Sequence, residues 1–172
     1  MRVRPATDAD APALDRLLRS AFGGGEEAHL VALLRDDRLN LVDLVAEVAG
    51  AVAGHVLLSP LEDAVSGTFA GLALAPLAVD PAYQRRGIGT ALVQAALMAA
   101  KAIDGRLVVV LGDPAYYRRF GFTTEAAAGI ACIYSGPHLM AIDLTGLPST
   151  IDRHVRYPWP FAWLAEGRSL GP

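Results

Sequence analysis

The chain of 172 residues has one cysteine, Cys132, so it can form no internal disulfide and no cysteine-based metal cluster. We expect no metal and a reduced compartment. Charge is sparse at 19%, and the 15 Lys and Arg are outnumbered by 18 Asp and Glu, for a net charge of -3. A basic footprint for nucleic acid is missing, which sets DNA and RNA aside as partners. No apolar run is long enough to span a bilayer: the longest, Phe69 to Val79, is short and contains Pro76. Behind Arg2 and Arg4 lies no apolar stretch of the secretory kind. The expectation is a cytoplasmic protein without membrane contact. Internal repeats and low-complexity linkers are also lacking. What the chain does have is 53% hydrophobic residues, enough to build one packed domain of ordinary size without staples.

Periodicity predicts the elements. A short strand at Val3 to Ala6 leads into a helix over Ala9 to Phe22, with Asp8 as its N-cap and Leu14, Leu17, Leu18 and Phe22 at helical spacing. Gly23 to Gly25 stops it, and Glu26 and Glu27 open a second helix through Arg35, where negative charge suits the positive end. Leu41 to Val48 and Ala51 to Leu58 read as a hairpin around Ala49-Gly50. Gly67 to Val79 is apolar on both faces, as in a strand covered by helices on each side. A nearly all-apolar helix over Thr90 to Ala102, a strand over Arg106 to Leu111 and a short helix over Pro114 to Phe120 follow, the last ended by Gly121. Ile130 to Tyr134 and Leu139 to Leu144 read as a final strand pair, with Cys132 in the core. The composition shifts after residue 146. Residues 147–172 then read as an aromatic extension packing on the same domain, and its Trp159, Phe161 and Trp163 fit a pocket wall, a homodimer contact or a core cover equally well.

Chemistry concentrates at Gln84-Arg85-Arg86-Gly87-Ile88-Gly89-Thr90, between the strand that ends at Val79 and the next helix. Two glycines spaced by one residue let a ligand approach the backbone, the first helical amides have no partner within the helix, and two arginines suit phosphate oxygens. This is the pattern of an anion cradle for a pyrophosphate or phosphate ester. A nucleotide-hydrolysing P-loop would need Lys followed by Ser or Thr, which is missing. A dinucleotide fingerprint would want Gly or Ala where Leu92 stands.

The stretch from Leu77 to Leu92 resembles the acetyl-CoA-binding motif of the GNAT family of N-acetyltransferases, whose core is (Q/R)xxGxG/A. Tyr117-Arg118-Arg119-Phe120-Gly121-Phe122 resembles the family's second signature, and Leu111 to Tyr117 is similar to its YhbS-like subgroup. The resemblance spans Val3 to Leu144. It implies a GNAT fold, an α/β (α+β) arrangement with a mixed, mostly antiparallel central sheet flanked by helices in the order β-α-α-β-β-β-α-β-α-β-β. It further implies acetyl-CoA as cosubstrate and an amine as acceptor, attacked directly in a ternary complex without a covalent intermediate.

Residue by residue, the resemblance implies that Leu77, Ala78 and Val79 face the pantetheine arm, helped by the missing amide of Pro76. The Leu77 amide would polarise the thioester carbonyl. Arg85, Arg86, Gly87, Ile88, Gly89 and Thr90 would hold the pyrophosphate, Tyr117 would be the general acid, and Tyr116 would line the cofactor side. Two departures stand out. Gly112-Asp113-Pro114 replaces an asparagine frequent in the second motif, and Thr68 to Val79 contains no carboxylate to serve as base. Base candidates elsewhere are Glu47, His55, Glu62 and the Glu26-Glu27 pair. The missing strand carboxylate also keeps a catalytically silent CoA-binding or sensing module in view.

Overall fold

A computed structural model describes residues 1–146 and 153–165; the rest of the expected C-terminal extension lies outside the described residues. The chain runs β1 (Arg2–Pro5), α1 (Ala11–Phe22), α2 (Glu26–Asp36), β2 (Val42–Val48), β3 (Ala51–Asp63) and β4 (Phe69–Val79). It continues through α3 (Ile88–Ala102), β5 (Leu107–Leu111), α4 (Pro114–Tyr117), α5 (Thr124–Ala127), β6 (Ile130–Ala131) and β7 (Leu139–Asp143), and then β8 (Arg153–Arg156) and α6 (Trp159–Ala165).

The first helix starts later than its periodicity suggests. Asp10, rather than Asp8, stands at the N-cap of α1, after a 3-10 turn over Asp8–Asp10 that Thr7 caps, with the Thr7 amide and hydroxyl both donating to the Asp10 carboxylate, at 2.8 and 2.9 Å. Asp10 also accepts two bonds from the Arg4 guanidinium, at 2.8 and 2.9 Å, which fastens β1 to the helix start. Gly23 ends α1 at φ +76, a left-handed conformation in which a glycine is unstrained.

The main sheet runs β1-β2-β3-β4-β5-β7, antiparallel except for the parallel pair β4 and β5. This is the mixed, mostly antiparallel sheet that was expected. One expected pairing is corrected: β6 and β7 do not pair. The Cys132 amide donates to the Ser135 hydroxyl at 2.9 Å, a turn that stops the strand after Ala131. β7 pairs with β5, while β6 lies parallel to β8, which in turn joins the far end of β3 at Glu62 and Asp63.

Packing covers both faces of the sheet. Leu14, Leu18 and Leu34 of α1 and α2 meet Val45, Leu57 and Leu61 on one face, and Tyr157 and Phe161 belong to the same cluster. On the other face Leu92, Val93 and Ala96 of α3 meet Val56, Leu58 and Phe122. Gly54 is what lets α3 sit this close, since a Cβ there would lie 2.9 Å from both Ile88 and Leu92.

The feature that positions the site is a split in the sheet. β4 pairs with β5 only over Leu72, Ala73 and Leu74, and from there on it runs with β3 alone. Opposite Leu57 the register slips by one residue, at Ala75 and Pro76, because two residues of β4 face one of β3. Beyond the bulge the Asp80 amide donates to the Ala53 carbonyl at 3.0 Å. Alternation along an antiparallel ladder therefore turns the Leu77 and Val79 amides away from β3, toward the open side of the split.

Candidate active site

The turn after β4 is held by Asp80, whose carboxylate accepts from the Ala82 amide at 2.8 Å. Gln84 donates to the Val79 carbonyl at 3.2 Å. Arg85 and Gly87 both take left-handed conformations, at φ +59 and +82, which bends the chain into the start of α3. The first bond of the turn runs from the Ala91 amide to the Gly87 carbonyl at 3.0 Å, so the amides of Ile88, Gly89 and Thr90 precede the helical ladder. A Cβ on Gly87 would meet nothing within 4 Å, whereas one on Gly89 would lie 2.5 Å from the Tyr116 hydroxyl. Burial pushes that phenol up, against a smaller lowering effect of Thr90 beside it.

These elements enclose a cleft of about 560 Å³, walled by Leu77, Val79, Gln84, Arg85, the segment Gly87 to Thr90, Tyr116 and Arg119. Of the residues expected to face the cofactor, two stand apart. Ala78 is packed into the core with 2% exposure, and Arg86 lies over the Tyr83 ring, 5.5 Å from its centroid. Neither lines the cleft. Arg119 supplies the second cation instead: it lies 4.6 Å over the Tyr116 ring and its Nε donates to the Tyr116 carbonyl at 2.8 Å. The three-residue spacing of Tyr116 and Arg119 on a helical turn is the signal that could have revealed it.

A second cavity, of about 260 Å³, shares Leu77 with the cleft and lies between the split end of β4 and helices α1, α2 and α6. Tyr117 faces this cavity. Its ring packs on Gly112, where a Cβ would lie 2.5 Å from Cε2, and meets Tyr116 and Phe122 edge-on at 5.0 and 5.7 Å. Burial pushes its phenol well up, and its hydroxyl has no hydrogen bond to another described residue. The adjacent tyrosines thus face different chambers.

Among the base candidates, Glu47 accepts from Arg4 at 3.0 Å and Glu62 from Arg156 at 2.9 Å. His55 is fully buried against Asp43 at 2.9 Å, and Glu26 points to solvent. Only Glu27 lines the second cavity. The aromatic segment resolves into three roles. Phe161 forms cavity wall, Trp163 packs on His29 at 4.4 Å, and Trp159 donates to Asp37 at 2.6 Å, so that α6 is clamped to α2.

Residues 42–124 match the family model for the acetyltransferase (GNAT) domain. The N-acetyltransferase YhbS of Escherichia coli K12 is 36% identical over 165 residues, which cover 91% of this chain and 98% of that protein. The chain belongs to the GNAT family. Among solved structures, E. coli YhbS in complex with CoA superposes with a TM-score of 0.86 at 33% identity, covering 94% of this chain and 91% of that one. A GNAT acetyltransferase from Brucella melitensis in complex with acetyl-CoA gives 0.78 at 29% identity, covering 93% and 97%. As a GNAT protein, the chain is an acyl-CoA-dependent acyltransferase of the N-acetyltransferase kind. No helix among its described residues is long and apolar enough to cross a membrane.

Proposed function

We propose that this GNAT protein moves the acetyl group of acetyl-CoA to a primary amine of a small molecule or peptide, by direct attack in a ternary complex. The observation that carries the reading is that the cleft and the second cavity meet at Leu77, next to amides that β3 leaves free.

The cleft suits the donor. The amides of Ile88, Gly89 and Thr90 with the Arg85 and Arg119 guanidinium groups are matched to a pyrophosphate, and Gly87 leaves the space above its Cα empty. The outward amide of Val79 is placed to pair with the amide-bearing pantetheine arm, and that of Leu77 to donate to the thioester oxygen as negative charge builds there. Bound acetyl-CoA supplies an activated carbonyl and a thiol leaving group. The neutral amine nitrogen forms a bond to the carbonyl carbon, the carbon–sulfur bond breaks, the nitrogen gives up one proton to solvent as it becomes an amide, and the sulfur takes one.

Tyr117 is our candidate to meet that sulfur with a hydrogen-bond donor. Burial keeps its phenol protonated at any working pH. A thiol of ordinary pKa, about 8.5, is the stronger acid of the two, so the phenol acts by donating a hydrogen bond to the sulfur as charge develops and keeps its own proton, while the proton that ends on sulfur is balanced by the one the nitrogen gives up. Tyr117→Phe is expected to lower kcat by about 10²-fold, the lower end of what a positioned hydrogen-bond donor contributes, with the acetyl-CoA dissociation constant held within about twofold. Thiol release and titration calorimetry on the same preparation read the two quantities. An unchanged kcat would make Tyr117 a packing residue.

A further inference from the structure

The second cavity also restricts the acceptor. At about 260 Å³ it lies just below the roughly 300–1,000 Å³ of sites for drug-sized ligands, so an acceptor seated within it is small. Its walls are apolar: Phe22 of α1, Leu30 of α2, Leu77 of β4, and Phe161 and Leu164 of α6. Three phenols face it, Tyr117, Tyr134 and Tyr157, and burial pushes all three up, so none is a base. The Tyr134 hydroxyl already donates to the Phe161 carbonyl at 3.4 Å. Glu27, half-buried in the first turn of α2, is the one carboxylate among the described lining residues.

A polyhydroxylated or polycationic amine entering here would bury polar groups with few partners, which disfavours it. An amine with an apolar body buries none beyond its ammonium, which the Glu27 carboxylate and the aromatic ring faces attract. Resting on the donor and acceptor reading above, we propose that the acceptor is a small primary amine bearing an aryl or short alkyl group, its body against Leu30 and Phe161 and its nitrogen drawn by Glu27.

The test uses the full chain in two steps. Calorimetric titration with acetyl-CoA comes first; no binding would overturn the cleft assignment and this proposal with it. With binding in place, thiol release is compared for 2-phenylethylamine and hexylamine against spermidine, an aminoglycoside and a glycine-rich tripeptide. The proposal expects kcat/KM at least tenfold higher for the first two. Equal or better use of the polar amines, or a preference for octanoyl-CoA over acetyl-CoA that would assign the cavity to the acyl chain, overturns the proposal and leaves the donor reading standing. Glu27→Gln should raise the KM for 2-phenylethylamine about tenfold without altering acetyl-CoA affinity, and an unchanged KM removes Glu27 from the site. Phe22→Asp, at a rim position 44% exposed and therefore tolerant of charge, should move preference toward spermidine; an unmoved preference would contradict the placement of the amine.

Discussion

Gly87 and Gly89 stand two positions apart and are glycine for different reasons. Gly87 needs its left-handed φ of +82 and has open space beside it, while Gly89 has ordinary backbone and is small because the Tyr116 phenol lies against it. Gly87→Val therefore strains the backbone, at about 1–2 kcal/mol, and fills the space that a pyrophosphate would take. The variant should stay folded with a melting temperature only a few degrees lower, yet bind acetyl-CoA at least tenfold more weakly by calorimetry. Undiminished affinity would move the pyrophosphate elsewhere. Arg85 and Arg86 show the limit of reading such a loop as letters: both suit phosphate, and only the backbone turn decides that Arg85 faces the cleft while Arg86 stacks on Tyr83.

Among the elements, the join of β1 to the start of α1 depends on a buried carboxylate. The hydrogen bonds from Arg4, then those from the Thr7 amide and hydroxyl, hold the Asp10 carboxyl far below the usual carboxylate range against the opposing effect of burial. A group whose folded pKa is depressed stabilises the fold above its unfolded value, near 3.9, and that contribution is lost as pH falls through and below it. Asp10→Asn should cost about 2 kcal/mol at pH 7, and its stability should fall less steeply than the wild type's between about pH 4 and 2, as read by urea unfolding at each pH. Some slope will remain from Asp43, which burial pushes up but the His55 hydrogen bond pulls down to a net lowered value. α1 was legible from its helical period and β4 and α3 from their long apolar runs, whereas β3 was legible only as far as Leu58 of a strand that runs to Asp63. The cap of α1, Asp10, was legible only in part, since Thr7, Asp8 and Asp10 all suit the capping pattern and the fold selects among them through Arg4. The partners of β6 were not legible at all: a two-residue strand has no period, and its pairing with β8 is decided by packing far along the chain.

At the scale of the whole molecule, the site is a consequence of where the sheet comes apart. Pro76 and the apolar run of β4 are visible in the sequence, and so is the glycine loop, but the split itself depends on the pairing of β4 with β5 stopping at Leu74 and Val110 while β5 goes on with β7. The second cavity exists because α6 closes it. Phe161 is 3% exposed and packs edge-on to Tyr157 at 5.1 Å, so Phe161→Ala should cost about 3 kcal/mol in unfolding free energy and enlarge the cavity it walls. A loss under 1 kcal/mol in denaturant titration would show that α6 is held by Trp159 and Trp163 alone. That Glu27, out of five base candidates, reaches this chamber is also a fact of assembly: Glu47 and Glu62 are equally acidic in sequence and are taken up by Arg4 and Arg156.

The central claim, an acetyl donor held in the cleft against Leu77, is tested most directly by thermal unfolding of the full chain with acetyl-CoA, CoA or NAD. At about 100 times its dissociation constant a ligand adds roughly 2.7 kcal/mol, which for a chain of this size raises the melting temperature by about 5–10 °C. The account predicts that rise with acetyl-CoA and CoA and none with NAD. No rise with acetyl-CoA or CoA, or an equal rise with NAD, would contradict it.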